Sequence, residues 1–155
     1  MKKFELTSEF ICFSGRKLFR IKALINFSNI KAGDLGGYVE KEENLEHDGN
    51  AWVYGNAKVC GDAWVFEDAK VCGNACVCGN AHYTTVKGFG SIFRTTTFFR
   101  LKNGEIGVKC GCFFGTLSDF RKKVKSTHKE STIAKEYLML ADLMEYHFKE
   151  RKNNE

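Results

Sequence analysis

The residues best suited to chemistry are the histidines and the seven cysteines, the side chains that ligate metals or act as bases and nucleophiles near neutral pH. His47 and His82 lie in a glycine-rich central segment, and Asp48 adjoins His47. A histidine there could act as general base in a group transfer, but neither sits in a motif that would supply an orienting carboxylate. Cys60, Cys72, Cys76 and Cys78 recur in the same segment, and Cys110 and Cys112 follow it, with His128 beyond. Zinc takes about four such ligands in a tetrahedron. The spacing from Cys72 through Cys76 to Cys78 is not that of paired zinc knuckles. We therefore expect packing, since cysteine is a good small hydrophobe, with Cys110, Cys112 and His128 as the residual metal candidates. No cofactor is expected.

The elements that must position these residues are set by a repeat. From Gly49 the chain runs through six units of the form Gly-Asn-Ala-x-Val-x. Ala recurs at 51, 57, 63, 69, 75 and 81, and Val at 53, 59, 65, 71 and 77, with Tyr83 closing the series. Alternate side chains of an extended segment share a face, so Ala and Val point inward together. Gly and Asn tolerate positive φ and supply a corner. One coil cannot bury its own apolar face, so coils must stack. With three units per turn, residues eighteen apart stack, and Cys60 lies over Cys78.

The positions left outside are unusually aromatic. Trp52, Tyr54, Trp64 and Phe66 would give one face more aromatic surface than a free surface needs. Exposed apolar patches mark binding surfaces, and Trp and Tyr dominate interface energetics. A second candidate is the basic run Arg121, Lys122, Lys123 and Lys125, which could neutralise phosphates. It lacks interleaved aromatics, so a solvated helix face accounts for it better.

The flanks differ in period. Residues 1–32 alternate as short strands around a Ser14-Gly15 turn and are expected to cap the repeat, which occupies 33–86. In 87–155 a hairpin is expected across Lys102–Glu105. A short helix capped at Thr116 or Ser118 follows, then a longer one capped at Ser131 or Thr132. Ile133, Tyr137, Leu140, Met144 and Phe148 form the apolar stripe of the second helix, expected to dock on the hairpin or on the end of the repeat, with a groove of another protein as the alternative. Net charge is +5 overall but divides into about +5, −6 and +6 over the three segments, which suits self-association or a charged partner and equally a solvating charge on separate surfaces. There is no apolar run suited to a leader or a membrane span. A cytoplasmic protein with reduced thiols is expected.

The repeat resembles that of the hexapeptide-repeat proteins, in which an aliphatic residue is followed four positions later by a small one, as Val53 is by Ala57. That resemblance implies a mainly β fold: a short left-handed-type parallel β-helix, with an N-terminal β cap and a C-terminal β-hairpin plus helices. Many of that family are acyltransferases. The chain departs from the family pattern after each aliphatic residue, where Tyr54, Cys60, Phe66, Cys72 and Cys78 stand, and it lacks the long loop that covers an acyl donor. The stretches Lys31–Val39 and Cys110–Leu117, with the repeat between them, resemble proteins encoded by phages and prophages of low-GC bacteria. Together these readings imply a non-catalytic, oligomeric binding protein in the cytoplasm of a bacterial host. Its expected role is anti-defence, of the anti-CRISPR or a related type, exerted on a host protein effector or by sequestering a nucleotide signal. An acyltransferase, a phage assembly protein and a nucleic-acid-binding protein acting through the basic C-terminal run are the alternatives.

Overall fold

The computed structural model describes residues 2–153. The chain opens with a hairpin, β1 (Phe4–Phe13) and β2 (Arg16–Ala23), turning through Ser14 and Gly15, both at positive φ. Strand β3 (Leu35–Val39) pairs antiparallel with β2. The repeat then supplies four strands of two residues each: β4 (Trp52–Val53), β5 (Lys58–Val59), β6 (Lys70–Val71) and β7 (Cys76–Val77). An antiparallel meander follows: β8 (Tyr83–Phe89), β9 (Arg94–Arg100), β10 (Ile106–Cys110) and β11 (Phe113–Thr116). Two helices end the chain, α1 (Leu117–His128) and α2 (Thr132–Asn153).

The fold is mixed α/β, and this corrects the expectation of a short parallel β-helix or β-solenoid. Three sheets are present: a mixed five-stranded one ordered β1-β2-β3-β5-β7, a fully antiparallel four-stranded one ordered β11-β10-β9-β8, and the parallel pair β4-β6. The physical reason lies in the length of the unit. Each corner consumes most of six residues, leaving only two for pairing, whereas the flanks contribute strands of four to ten residues. Antiparallel pairing between those longer strands therefore dominates the sheet structure. The region after the repeat is also more than a hairpin: β8 and β11 extend the expected β9–β10 pair on both sides.

Within the repeat the eighteen-residue offset is real but local. Trp52 pairs with Lys70 and Lys58 with Cys76 in parallel register. Ala51, Val53, Ala57, Val59, Ala63, Val65, Ala69, Val71, Ala75 and Val77 are all buried. They join Phe4, Ile21 and Val39 from the N-terminal strands and Phe99 and Leu101 from the meander in one core. That apolar burial, at roughly 25 cal/mol per Å², welds the three segments together.

A second core lies between the meander and the helices. It contains Phe98 and Val108 of the sheet, Leu117, Phe120 and Val124 of α1, and Tyr137, Met144 and Phe148 of α2. Helix α1 starts at Thr116, whose hydroxyl accepts from the Asp119 amide while the Asp119 carboxylate accepts from the Thr116 amide. This reciprocal pairing satisfies donors that a helix start leaves free. No helix among the described residues is long and apolar enough to cross a membrane.

Candidate protein-docking site

Trp52 and Trp64 occupy the same place in their units, yet the structure treats them oppositely. Trp52 is buried, with Phe27 edge-on at 5.3 Å and Phe4 at 6.4 Å between ring centres. It is a core residue, which corrects its assignment to a binding face. Tyr54 is half-buried against the same core, its hydroxyl donating to Asn29 Oδ1 at 3.2 Å. Trp64 remains 45% exposed and stacks on Phe66, with ring centres 4.4 Å apart and planes within 22°.

The backbone of Trp64 is clamped on both sides. Its amide donates to Asn80 Oδ1 at 2.9 Å, and its carbonyl accepts from the Tyr83 hydroxyl. Burial pushes the Tyr83 phenol well above its usual range, so it remains a donor. The neighbouring residue Val65 bridges Leu45 in parallel, with the Val65 amide donating to Asn44 O at 2.9 Å. Asn44 is itself buried. Its side-chain amide donates to Ala63 O at 2.8 Å and Gly61 O at 3.1 Å, and its oxygen accepts from the Lys41 amide. Asn44, together with the Leu45–Val65 bridge and the Glu46 amide donating to Val65 O at 2.9 Å, holds the segment 42–48 alongside the Trp64 corner.

That segment is acidic. Glu42, Glu43, Glu46 and Asp48 line a shallow notch of about 510 Å³ whose far wall is Trp64. Glu42 is tied to His47 at 2.7 Å and to Lys2 at 3.3 Å. The hydrogen bond from His47, and then that from Lys2, hold its carboxyl below the usual range. Glu46 accepts from the Glu67 amide at 2.8 Å. The notch therefore presents negative charge beside a rigid aromatic pair. Sequence reasoning found Trp64 and Phe66 but missed the carboxylates, although the run Glu40–Asp48 was visible as the most acidic stretch of the chain.

The remaining candidates do not converge. Arg121 bonds Asp142 at 2.8 Å and Glu145 at 3.0 Å, locking α1 to α2. Val124 is buried, and Lys122, Lys123 and Lys125 are exposed on α1. The basic run is therefore not one phosphate-facing patch, because helical geometry turns its first arginine toward α2. Lys123, Cys110 and His128 line one cavity, but Cys112 is exposed outside it. No group of three metal-ligating side chains occurs among the described residues. Cys110 is instead engaged by Thr96, whose hydroxyl donates to Sγ at 3.3 Å.

Both histidines of the central region are occupied. His47 Nδ1 accepts from the Lys3 amide at 3.1 Å and Nε2 meets Glu42. His82 Nδ1 accepts from the Cys78 amide at 3.1 Å and Nε2 meets the Arg100 guanidinium at 3.0 Å. No protein-family model matches the chain, and no curated protein matches it.

Proposed function

We propose that this is a non-catalytic binding protein that docks the basic surface of a protein partner onto the Trp64 notch. The observation that carries the proposal is the exposed Trp64–Phe66 stack walled by four carboxylates. A rigid aromatic anchor beside fixed negative charge fits a partner rich in Lys and Arg, through cation–π contact and charge complementarity. In the phage setting that the sequence resemblance implies, the partner is a host defence effector whose basic surface normally faces nucleic acid, and the protein acts in the bacterial cytoplasm. The engagement of both ring nitrogens of His47 and of His82 supports this reading over acyl transfer, which requires a free imidazole lone pair.

Self-association through α2 belongs to the same proposal. Met139, Leu143 and Tyr146 are exposed at steps of four and three residues, on the side of α2 away from its docked face. The occupant that fits is a second copy in antiparallel register. Setting Met139 against Tyr146 then brings Glu136 opposite Lys149 at both ends.

The test is native mass spectrometry of protein gently purified from bacteria carrying a nuclease-type defence, together with phage plating on those cells. The wild type is expected to retain one basic effector and to restore plating. Trp64→Ala and Glu43→Lys are expected to lose both. Equal retention and plating by the variants, or no retention by the wild type, would remove the reading.

A further inference from the structure

A second cavity, of about 350 Å³, lies where the repeat meets the meander. The repeat contributes Asp68 and Lys70, and the meander contributes Lys87 of β8, Arg94 of β9 and Lys109 of β10. Phe93 stands at its rim. The floor is pinned by the Lys70 amide, which donates to Thr97 Oγ1 at 3.0 Å. Asp68 pairs with Lys87 at 3.5 Å. Four cations and one carboxylate thus line a small volume, and the Lys109 ammonium donates to the Gly111 carbonyl at its wall.

Two backbone features shape this cavity. Gly111 has φ +58, and a Cβ there would fall 1.5 Å from the Arg94 guanidinium, so glycine makes the room in which Arg94 lies. Phe93 has φ +54 and is 69% exposed. A bulky side chain in the left-handed region costs roughly 1–2 kcal/mol. Here that conformation holds an aromatic ring out in solvent, at the mouth of the cationic cavity and away from both cores. Backbone outliers of this kind concentrate at ligand sites.

We propose that this cleft binds a free nucleoside phosphate. Arg94 offers a planar fork to two phosphate oxygens, and Lys70 and Lys109 add point charges. Phe93 offers a ring on which a base stacks. Asp68 accepts from a ribose hydroxyl or a base amine. The volume falls within the range of small-ligand sites. The site shares no lining residue with the Trp64 notch, and binding of a nucleotide signal there stands or falls apart from the docking of a protein.

The experiment is calorimetric titration of the full chain, at low salt, with AMP, GMP, inorganic phosphate, adenosine and a short single-stranded RNA. A mononucleotide is expected to bind about 10-fold or more tightly than inorganic phosphate, the stacking of one base being the difference, and adenosine is expected not to bind. Arg94→Ala and Lys109→Met are expected to weaken the nucleotide by about 10-fold or more, as loss of a charge-assisted phosphate contact does. Phe93→Ala is expected to abolish the preference for nucleotide over phosphate while phosphate binding persists. Lys87→Met, at a side chain 71% exposed, keeps the test valid if Arg94→Ala does not fold, and is expected to weaken the nucleotide more modestly. Trp64→Ala is expected to change nothing here. Absence of mononucleotide binding, equal affinity in Arg94→Ala and Lys87→Met, parity of phosphate with AMP, or tighter binding of RNA than of either mononucleotide would each overturn the proposal.

Discussion

Cys60 and Cys78, eighteen residues apart, sit side by side at the ends of neighbouring parallel strands and are joined by a disulfide, with Cα atoms 4.5 Å apart. The expectation of wholly reduced thiols is corrected here, although the stacking of these two positions follows from the period of the repeat. Closing a loop of this size stabilises by about 3 kcal/mol in the chain-entropy treatment. Denatured, unreduced protein is expected to titrate five thiols and reduced protein seven. Cys60→Ser is expected to lower the unfolding free energy by about that amount in urea. Seven thiols before reduction would contradict the pairing.

Corners of the repeat adopt positive φ at Gly49, Gly55, Gly61 and Gly73, but the fourth unit has Glu67 there, at φ +59. A non-glycine residue in that region costs roughly 1 kcal/mol or more, partly offset by the greater freedom glycine has when unfolded. Glu67→Gly is expected to raise stability by about 0.5–1 kcal/mol, seen as a higher urea midpoint at unchanged slope. A lower midpoint would mean that the Glu67 side chain contributes more than its backbone costs.

Lys3 is fully buried, donating from Nζ to Ala51 O at 2.7 Å and lying 4.8 Å from the Phe27 ring centre. Burial lowers its pKa to about 8, with Glu46 and Asp48 opposing the fall. The folded value lies below the unfolded one, so between pH about 8 and about 10.5 the unfolded chain holds more protons and stability rises with pH. Below about 8 the native state bears the full cost of the buried cation, on the order of 3 kcal/mol. The stability difference between wild type and Lys3→Met is expected to shift by that order in favour of wild type across this window. A difference flat with pH would show that Lys3 titrates alike in the folded and unfolded chain.

Trp52→Ala removes a ring packed on all sides and is expected to cost about 3–5 kcal/mol. Trp64→Ala is expected to cost about 1 kcal/mol or less, the worth of one partly exposed stack. Thermal unfolding of the two variants separates a core residue from a surface one in the same repeat position, and equal losses would place both rings in the core.

Along α2, Leu143→Lys is expected to convert a dimer into a monomer in sedimentation and to remove the rise of melting temperature with protein concentration. A monomeric wild type would remove the antiparallel pairing of Met139 with Tyr146.

The amino-acid sequence by itself determined what is local and periodic. Alternation within each unit put every Ala and Val from 51 to 77 inside, because a strand turns successive side chains to opposite faces. Thr116 and the apolar spacing from Tyr137 to Phe148 located both helices, because capping and helical period act over three or four residues. What only the tertiary structure decided is which outward residues are covered and which distant ones meet. Trp52 and Trp64 are indistinguishable within their units, and Phe4 and Phe27, more than twenty residues away, bury one and not the other. The longer flanking strands made antiparallel pairing dominant over the short parallel rungs of the repeat. The same packing gathered Lys70, Lys87, Arg94 and Lys109 around one cavity from four separate elements. Periodicity is written in neighbouring residues, whereas burial and charge clustering arise only when remote segments compete for the same apolar surface.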